Sequence, residues 1–252
     1  MKYIFSPHGE HALIDFIDNQ TLLAFDFDGT LAPIVPRPED ACAPTSMGRA
    51  MTHLTEVATV AVITGRAISD VRARLNFEPK YIVGNHGAEG IPGLTDKTGD
   101  SAEIAVWERQ ILAAWHTLPQ GVKMENKQHS LSLHYRMTSN RDEAKLALHA
   151  LLNQLQPSPR IIGGKCVVNL LPENSNDKFD ALLALQRTER SSKALFVGDD
   201  ETDEVVFRKA LPDWLTIRVG QKDNSAASFY LNSQSEMALL VQRIDRLIRA
   251  HK

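Results

Sequence analysis

The stretch Leu22-Leu23-Ala24-Phe25 is apolar and ends in Asp26-Phe27-Asp28-Gly29-Thr30, two carboxylates separated by one residue. On an extended strand, side chains two apart share a face, so Asp26 and Asp28 are expected side by side. Carboxylates that close repel each other and take up protons unless a cation lies between them. Magnesium suits such oxygen ligands. Taken alone, the stretch also fits a turn that simply favours Asp and Gly. A second acidic cluster, Asp199-Asp200-Glu201-Thr202-Asp203-Glu204, puts five acids in six residues after the apolar run Ala194-Leu195-Phe196-Val197. A bound cation would relieve that crowding. Between the two clusters, Thr64-Gly65-Arg66 sets a hydroxyl at the end of a β-branched run, where a helix begins. Helix starts offer free N–H groups to phosphate oxygens. Lys178 stands at another helix start. Two acids, a hydroxyl, a lysine and a further set of acids are the parts that metal-assisted phosphoryl transfer requires.

These side chains converge only if strand ends and helix starts meet in space. The apolar runs at 22–25, 57–64, 194–198 and 214–220 read as buried parallel strands, and Tyr81-Ile82-Val83-Gly84 as a short one. Helices are expected over 9–18, 45–56, from Ile68 through Leu75, from Asp177, and over the stripe from Met237 to Ile248. Four prolines between Ala32 and Pro44 mark a loop. In a doubly wound parallel sheet, the carboxyl ends of the strands open on one crevice, where ligands bind. Residues 102–170 have a different texture. Ala102 to Leu118 spells an amphipathic helix with Ile104, Trp107, Ile111, Leu112 and Trp115 on its apolar stripe. Segments 122–127 and 130–136 alternate with period two, 142–155 is again helical, and 160–164 with 166–170 form a hairpin. That is an α+β insert in an α/β core. The expected organisation is core 1–96, insert 97–170 and core 171–252.

The chain has 252 residues, 43% hydrophobic and 23% charged, with a net charge of −3. No basic footprint for nucleic acid is present. Only Cys42 and Cys166 occur, which excludes a disulfide scaffold and points to a reduced cytoplasmic setting. No apolar run approaches the roughly 18 residues of a membrane span. The expected partner is a small molecule acting on a monomer.

Asp26-Phe27-Asp28-Gly29-Thr30 resembles the D-x-D-G-T motif of the haloacid dehalogenase (HAD) superfamily of phosphatases. Thr64, Lys178 and the 199–204 block resemble its remaining motifs, in order. The resemblance implies a HAD-like core with an inserted cap. It implies that Asp26 is a nucleophile that becomes an aspartyl phosphate, and that Asp28 is a general acid and then a general base. Lys178 would pair with the nucleophile and the phosphoryl group, while Thr64, Gly65 and Arg66 hold phosphate oxygens. Mg²⁺ would be held by Asp26, the backbone carbonyl of Asp28 and Asp199, with Asp200 and Asp203 in the same acidic set.

The closer resemblance is to the trehalose-6-phosphate phosphatase family. Gly198-Asp199-Asp200-Glu201-Thr202-Asp203-Glu204 matches its G-D-D-x-T-D-E, and Gly84-Asn85-His86-Gly87-Ala88-Glu89 is similar to its G-x-H-G-A-E. Glu125-Asn126-Lys127 followed by Leu133-His134-Tyr135-Arg136 resembles E-x-K and L-H-Y-R, and Gly164-Lys165-Cys166-Val167-Val168 resembles G-K-x-V-V. The family's E-x-K binds the sugar, which implies Glu125 and Lys127, on one strand face. Substrate contacts are likewise expected from His86, Arg136, Lys165 and Asn169. The chain departs from the family at Asn169, where Glu is usual, at Leu171, where Arg or Lys is usual, and at Phe179, where Gly usually follows the lysine. The implied substrate is a phosphosugar, trehalose 6-phosphate. Alternatives are another phosphosugar, such as sucrose phosphate or mannosyl phosphoglycerate, and a phospho-switch that accepts phosphate on aspartate without hydrolysing an ester.

Overall fold

The computed structural model describes residues 1–93, 98–164 and 166–251, with the backbone alone at 98–101. Lys165 lies outside the described residues. The chain forms two compact units, Met1–Leu94 with Asn176–Lys252, and Thr95–Ser175.

The first unit is built on β1 (Lys2–Tyr3), α1 (Pro7–Phe16), β2 (Thr21–Phe25), α2 (Thr45–Thr55), β3 (Val60–Ile63), α3 (Ile68–Arg72) and β4 (Tyr81–Val83). The second unit contains α4 (Thr98–Ala113), β5 (Lys123–Asn126), β6 (Leu131–His134), α5 (Arg141–Leu152), β7 (Arg160–Gly164) and β8 (Val167–Leu171). The chain then returns through α6 (Lys178–Glu189), β9 (Lys193–Gly198), α7 (Glu204–Lys209), β10 (Trp214–Val219), β11 (Phe229–Leu231) and α8 (Met237–Ala250). The first unit's strands make one parallel sheet in the order β1-β11-β10-β9-β2-β3-β4. The order reverses between β2 and β9, so the chain folds as a doubly wound α/β sheet with its switch point at their carboxyl ends.

Both faces of that sheet are covered, which is why its strands read as nearly unbroken apolar runs. Leu23 and Phe25 of β2 pack on one side, with residues of α1, α2 and α8. Leu22 and Ala24 pack on the other, with Ala181, Leu182 and Leu185 of α6. The alternation decides where the next residue goes: after Leu22 and Ala24, Asp26 falls on the α6 side. Two elements had no counterpart in the sequence reading. The strand β1 is only two residues long and too short to show periodicity, and α7 starts inside the acidic block.

The second unit is a four-stranded antiparallel sheet, β5-β6-β8-β7, packed on α4 and α5. Ile104, Trp107 and Ile111 lie on the buried face of α4, and the Trp107 indole N–H donates to the Pro157 carbonyl at 2.6 Å. The expected stripe is corrected at its end. The α-helix stops at Ala113, Trp115 opens a separate 3₁₀ turn, and Leu112 is exposed. Among the described residues, no helix is long and apolar enough to cross a membrane.

Candidate active site

The strand β2 ends at Phe25, but the Asp26 N–H still donates to the Val197 carbonyl of β9 at 2.9 Å. The chain then turns. Gly29 has φ +85°, its N–H donates to the Ala32 carbonyl at 2.7 Å, and Ala32 N–H donates back to the Phe27 carbonyl at 2.9 Å. A side chain at Gly29 would strike the Asp199 carboxylate, so glycine serves both the left-handed backbone and the close approach of two loops.

Asp26 is 5% exposed. Its Oδ1 accepts from Lys178 Nζ at 2.9 Å, and the same ammonium donates to Asp203 Oδ1 at 2.7 Å. Burial raises the Asp26 pKa well above the usual carboxylate range; Lys178 opposes that rise, and Asp203 and Asp199 add to it. Burial works against the charge on Lys178, yet Asp203 and Asp26 together hold its pKa above the ordinary ammonium value. Lys178 is the first residue of α6, an unfavourable place for a cation beside the positive end of the helix dipole. Its position is set by the Asp177 cap, which receives the Asp180 N–H at 3.0 Å while Asp180 receives the Asp177 N–H at 2.9 Å.

Carboxylate oxygens of Asp26, Asp199 and Asp203 lie within 4.8 Å of one another. With Lys178 counted, three ionised acids and one ammonium leave two negative charges, which a divalent cation would neutralise. The donor set fits magnesium, with one qualification. Asp203 already has both oxygens in use, Oδ1 by Lys178 and Oδ2 by the N–H groups of Asp199 and Asp200, each at 2.9 Å. A cation at this group would therefore be held through Asp26 and Asp199. Asp200 is not in that group, and its Oδ1 accepts the Glu201 N–H at 2.7 Å.

Two expectations are corrected here. Asp28 and Asp26 do not share a strand face, because the strand has already ended and the turn at Gly29 diverts Asp28. Its two oxygens are gripped by Arg66, from Nε at 2.6 Å and Nη2 at 2.7 Å. Arg66, expected on phosphate, is engaged on that carboxylate, with Nη1 on Asp70 at 2.7 Å and Nη2 on the Pro38 carbonyl at 2.8 Å. Burial disfavours its charge, but Asp28 and Asp70 hold its pKa above the usual guanidinium value.

Thr64 is buried at the end of β3, and its hydroxyl accepts the Arg66 N–H at 3.2 Å. His86 lies on the same turn: its backbone N–H donates to the Thr64 carbonyl at 2.9 Å, and a side chain at Gly65 would strike its ring. Asn85 and His86 both have positive φ, 49° and 58°. Glu89 secures that fold, accepting from Asn85 Nδ2 at 2.8 Å and from the Ile68 N–H at 3.0 Å. Thr64, Gly65 and His86 are thus brought together. Sequence reasoning quoted Glu89 within a family motif but gave it no role, and it passed over Arg218, whose signal was a lone charge inside the apolar run of β10.

In the second unit, Glu125 Oε2 accepts from His134 Nε2 at 2.8 Å and lies 3.9 Å from Lys127 Nζ. The expectation that both lie on one strand is corrected: β5 ends at Asn126 and Lys127 begins the turn that follows. Asn169 is buried and accepts from Ser132 Oγ at 2.6 Å across the β6–β8 pair. Arg136 is half-buried in the turn after β6.

The sequence profile of the trehalose-phosphatase family matches residues 24–235. The chain belongs to that family. It is 30% identical over 249 residues to the trehalose-phosphate phosphatase of Mycobacterium tuberculosis, covering 92% of this chain and 63% of that one. It therefore spans less than two thirds of that relative. It is 32% identical over 219 residues to a probable trehalose-phosphate phosphatase of Sinorhizobium fredii, covering 83% of this chain and 81% of the relative. The crystal structure of a trehalose-6-phosphate phosphatase related protein superposes with a TM-score of 0.74 at 24% identity, over 92% of this chain and all of that one. Members of the trehalose-phosphatase family share the HAD-type α/β fold, and this chain has it.

The Asp26–Lys178–Asp203 triad yields a stability test. Lys178→Met leaves two buried carboxylates without their ammonium, and removing one partner of a buried pair costs about 3–5 kcal/mol. Denaturant unfolding at neutral pH should show that loss. Burial raises the Asp26 pKa and Lys178 opposes that rise, so without Lys178 the native state takes up a proton at Asp26 more readily than the unfolded chain as pH falls. The deficit should therefore shrink on acidification; a deficit that grows would contradict the assignment.

Proposed function

We propose that this chain hydrolyses trehalose 6-phosphate to trehalose and phosphate, with Asp26 as nucleophile and Mg²⁺ as cofactor. The reading is carried by one observation: Asp26 is buried at the β2–β9 switch point, bonded to Lys178 and within 4.8 Å of Asp199 and Asp203. The assigned substrate rests on the family relation.

Lys178 occupies Asp26 Oδ1 and leaves Oδ2 for attack on phosphorus. The bond from phosphorus to the sugar oxygen breaks, and Asp28 donates a proton to that oxygen. Water then attacks the aspartyl phosphate, Asp28 takes its proton, and phosphate leaves. Thr64, Gly65 and the turn carrying His86 would hold the phosphate. Asp26, the Asp28 carbonyl and Asp199 would hold Mg²⁺, which would supply charge neutralisation for phosphate and nucleophile. Arg66, bonded to both Asp28 oxygens, orients that side chain; Asp28 gives up one of these bonds and enters the cycle carrying the proton it donates, which it recovers from water in the second step. The Cys42 and Cys166 thiols are free, which agrees with a cytoplasmic setting, and a small phosphosugar requires no second copy.

Phosphate release across a panel of sugar phosphates tests the reading. Trehalose 6-phosphate should be preferred to sucrose phosphate and mannosyl phosphoglycerate, and Asp26→Asn should lower turnover by well over tenfold, a step of ~1.4 kcal/mol. Retention of most activity by Asp26→Asn would remove it as nucleophile. Exhaustive chelation should abolish turnover and added Mg²⁺ restore it; activity that survives EDTA would contradict the cofactor assignment.

Sugar choice is assigned to the second unit, through Glu125 and Lys127. Charged hydrogen bonds contribute roughly 1.5–3 kcal/mol, so Glu125→Ala or Lys127→Ala should cost on the order of 10- to 100-fold in kcat/KM for trehalose 6-phosphate. Nitrophenyl phosphate has no second ring to hold and should be hydrolysed at nearly the wild-type rate. Equal losses on both substrates would place these residues outside sugar recognition.

A further inference from the structure

The acidic loop that follows β9 is anchored from beneath by a buried ion pair that no step above uses. Arg218, on β10, is 8% exposed, and Glu204, the first residue of α7, is 1% exposed. Arg218 Nη1 donates to Glu204 Oε1 at 3.1 Å and to the Asp200 carbonyl at 3.3 Å, and Nη2 donates to the Asp199 carbonyl. The other Glu204 oxygen accepts the Ala226 N–H at 3.1 Å.

Asp199 and Asp200 are therefore held on two sides. Their N–H groups converge on Asp203 Oδ2, and their carbonyls converge on one guanidinium. With both groups fixed, the backbone of Asp199 has little freedom to rotate, and its carboxylate is committed to the space shared with Asp26 and Asp203. A planar fork of donors can serve two carbonyls and a carboxylate at once; a lysine ammonium is a point charge on a flexible stem. The charge balance matters as well. A lone guanidinium beneath a cation site would repel the cation, and Glu204 cancels it.

We propose that Arg218 is a positioning residue for the cation site, aiming Asp199, and that Glu204 keeps Arg218 from opposing the cation. The inference rests on the reading of Asp26 and Asp199 as the carboxylates that hold Mg²⁺. It concerns how Asp199 is oriented and requires no contact between Arg218 and substrate.

The test is calorimetric titration of Mg²⁺ into metal-free, full-chain protein, with no substrate present. Wild type should bind, and Asp199→Ala should not. Residues that orient metal ligands typically change affinity by about 10- to 100-fold, and Arg218→Lys should weaken binding by that amount while far-ultraviolet circular dichroism remains that of wild type. Raising Mg²⁺ to saturation should restore the kcat of Arg218→Lys, a recovery not expected from general loss of structure. Glu204→Gln should also weaken binding, because the guanidinium is then uncompensated. If Arg218→Lys does not fold, the double variant Arg218→Gln with Glu204→Gln keeps a neutral hydrogen-bonding pair in the same space and should show the same weakening. Unchanged Mg²⁺ affinity in whichever of these variants folds would overturn the proposal. Binding by Asp199→Ala equal to wild type would instead overturn the underlying cation assignment.

Discussion

The arrangement of the first unit depends on one buried ammonium. Lys178 is 2% exposed and sits between Asp26 and Asp203, which are 5% and 0% exposed. Taking three charges out of water is expensive, and the mutual attraction repays it only when the geometry is close and the remaining polar atoms are satisfied. Each element nearby supplies part of that geometry. The cap at Asp177 sets where α6 begins, β2 carries Asp26 to the α6 side, and Asp203 binds the peptides of the acidic loop with the oxygen that Lys178 leaves. One lysine thus links three segments far apart in sequence, and the carboxylates it gathers are those with which a divalent cation would complete the charge balance.

Much of this was legible because burial on both faces of a parallel sheet leaves a strong trace. The runs at β2, β3, β9 and β10 are almost wholly apolar, and the acids after β2 and β9 interrupt them abruptly. Alternation failed at Asp28. Period two holds only while the chain stays extended, and β2 had already ended at Phe25. A count of acids in the 199–204 block could not tell ligands from supports. Glu204 was counted with the crowd, yet it is buried and paired with Arg218, and Asp203 spends both oxygens on protein donors. What separates them is the partner each finds across the sheet, which linear spacing does not encode.

The second unit shows the same limit in another form. Its buried face was readable in Ile104, Trp107 and Ile111, since a helix stripe depends only on local geometry. The pairing of Ser132 with Asn169 was not readable, because it depends on the register of two strands that place residues 37 apart in sequence opposite each other, a separation spanned by the turns and by α5. At Asn169 the amide oxygen accepts from the Ser132 hydroxyl and the side chain is neutral, so this buried position carries no charge.

The strand order has a consequence for synthesis. β2 lies inside the sheet, between β3 and β9, and β9 is encoded after the whole of Thr95–Ser175. On the ribosome, β2, β3 and β4 emerge early, while the neighbour that must cover the other edge of β2 does not yet exist. An exposed strand edge invites pairing with other chains. The antiparallel unit, in contrast, emerges as one continuous segment and can complete its own sheet and core first. The nascent chain therefore passes through an interval, between translation of Val83 and of Gly198, in which the later-encoded strands of its larger sheet are missing and one edge of β2 has no neighbour.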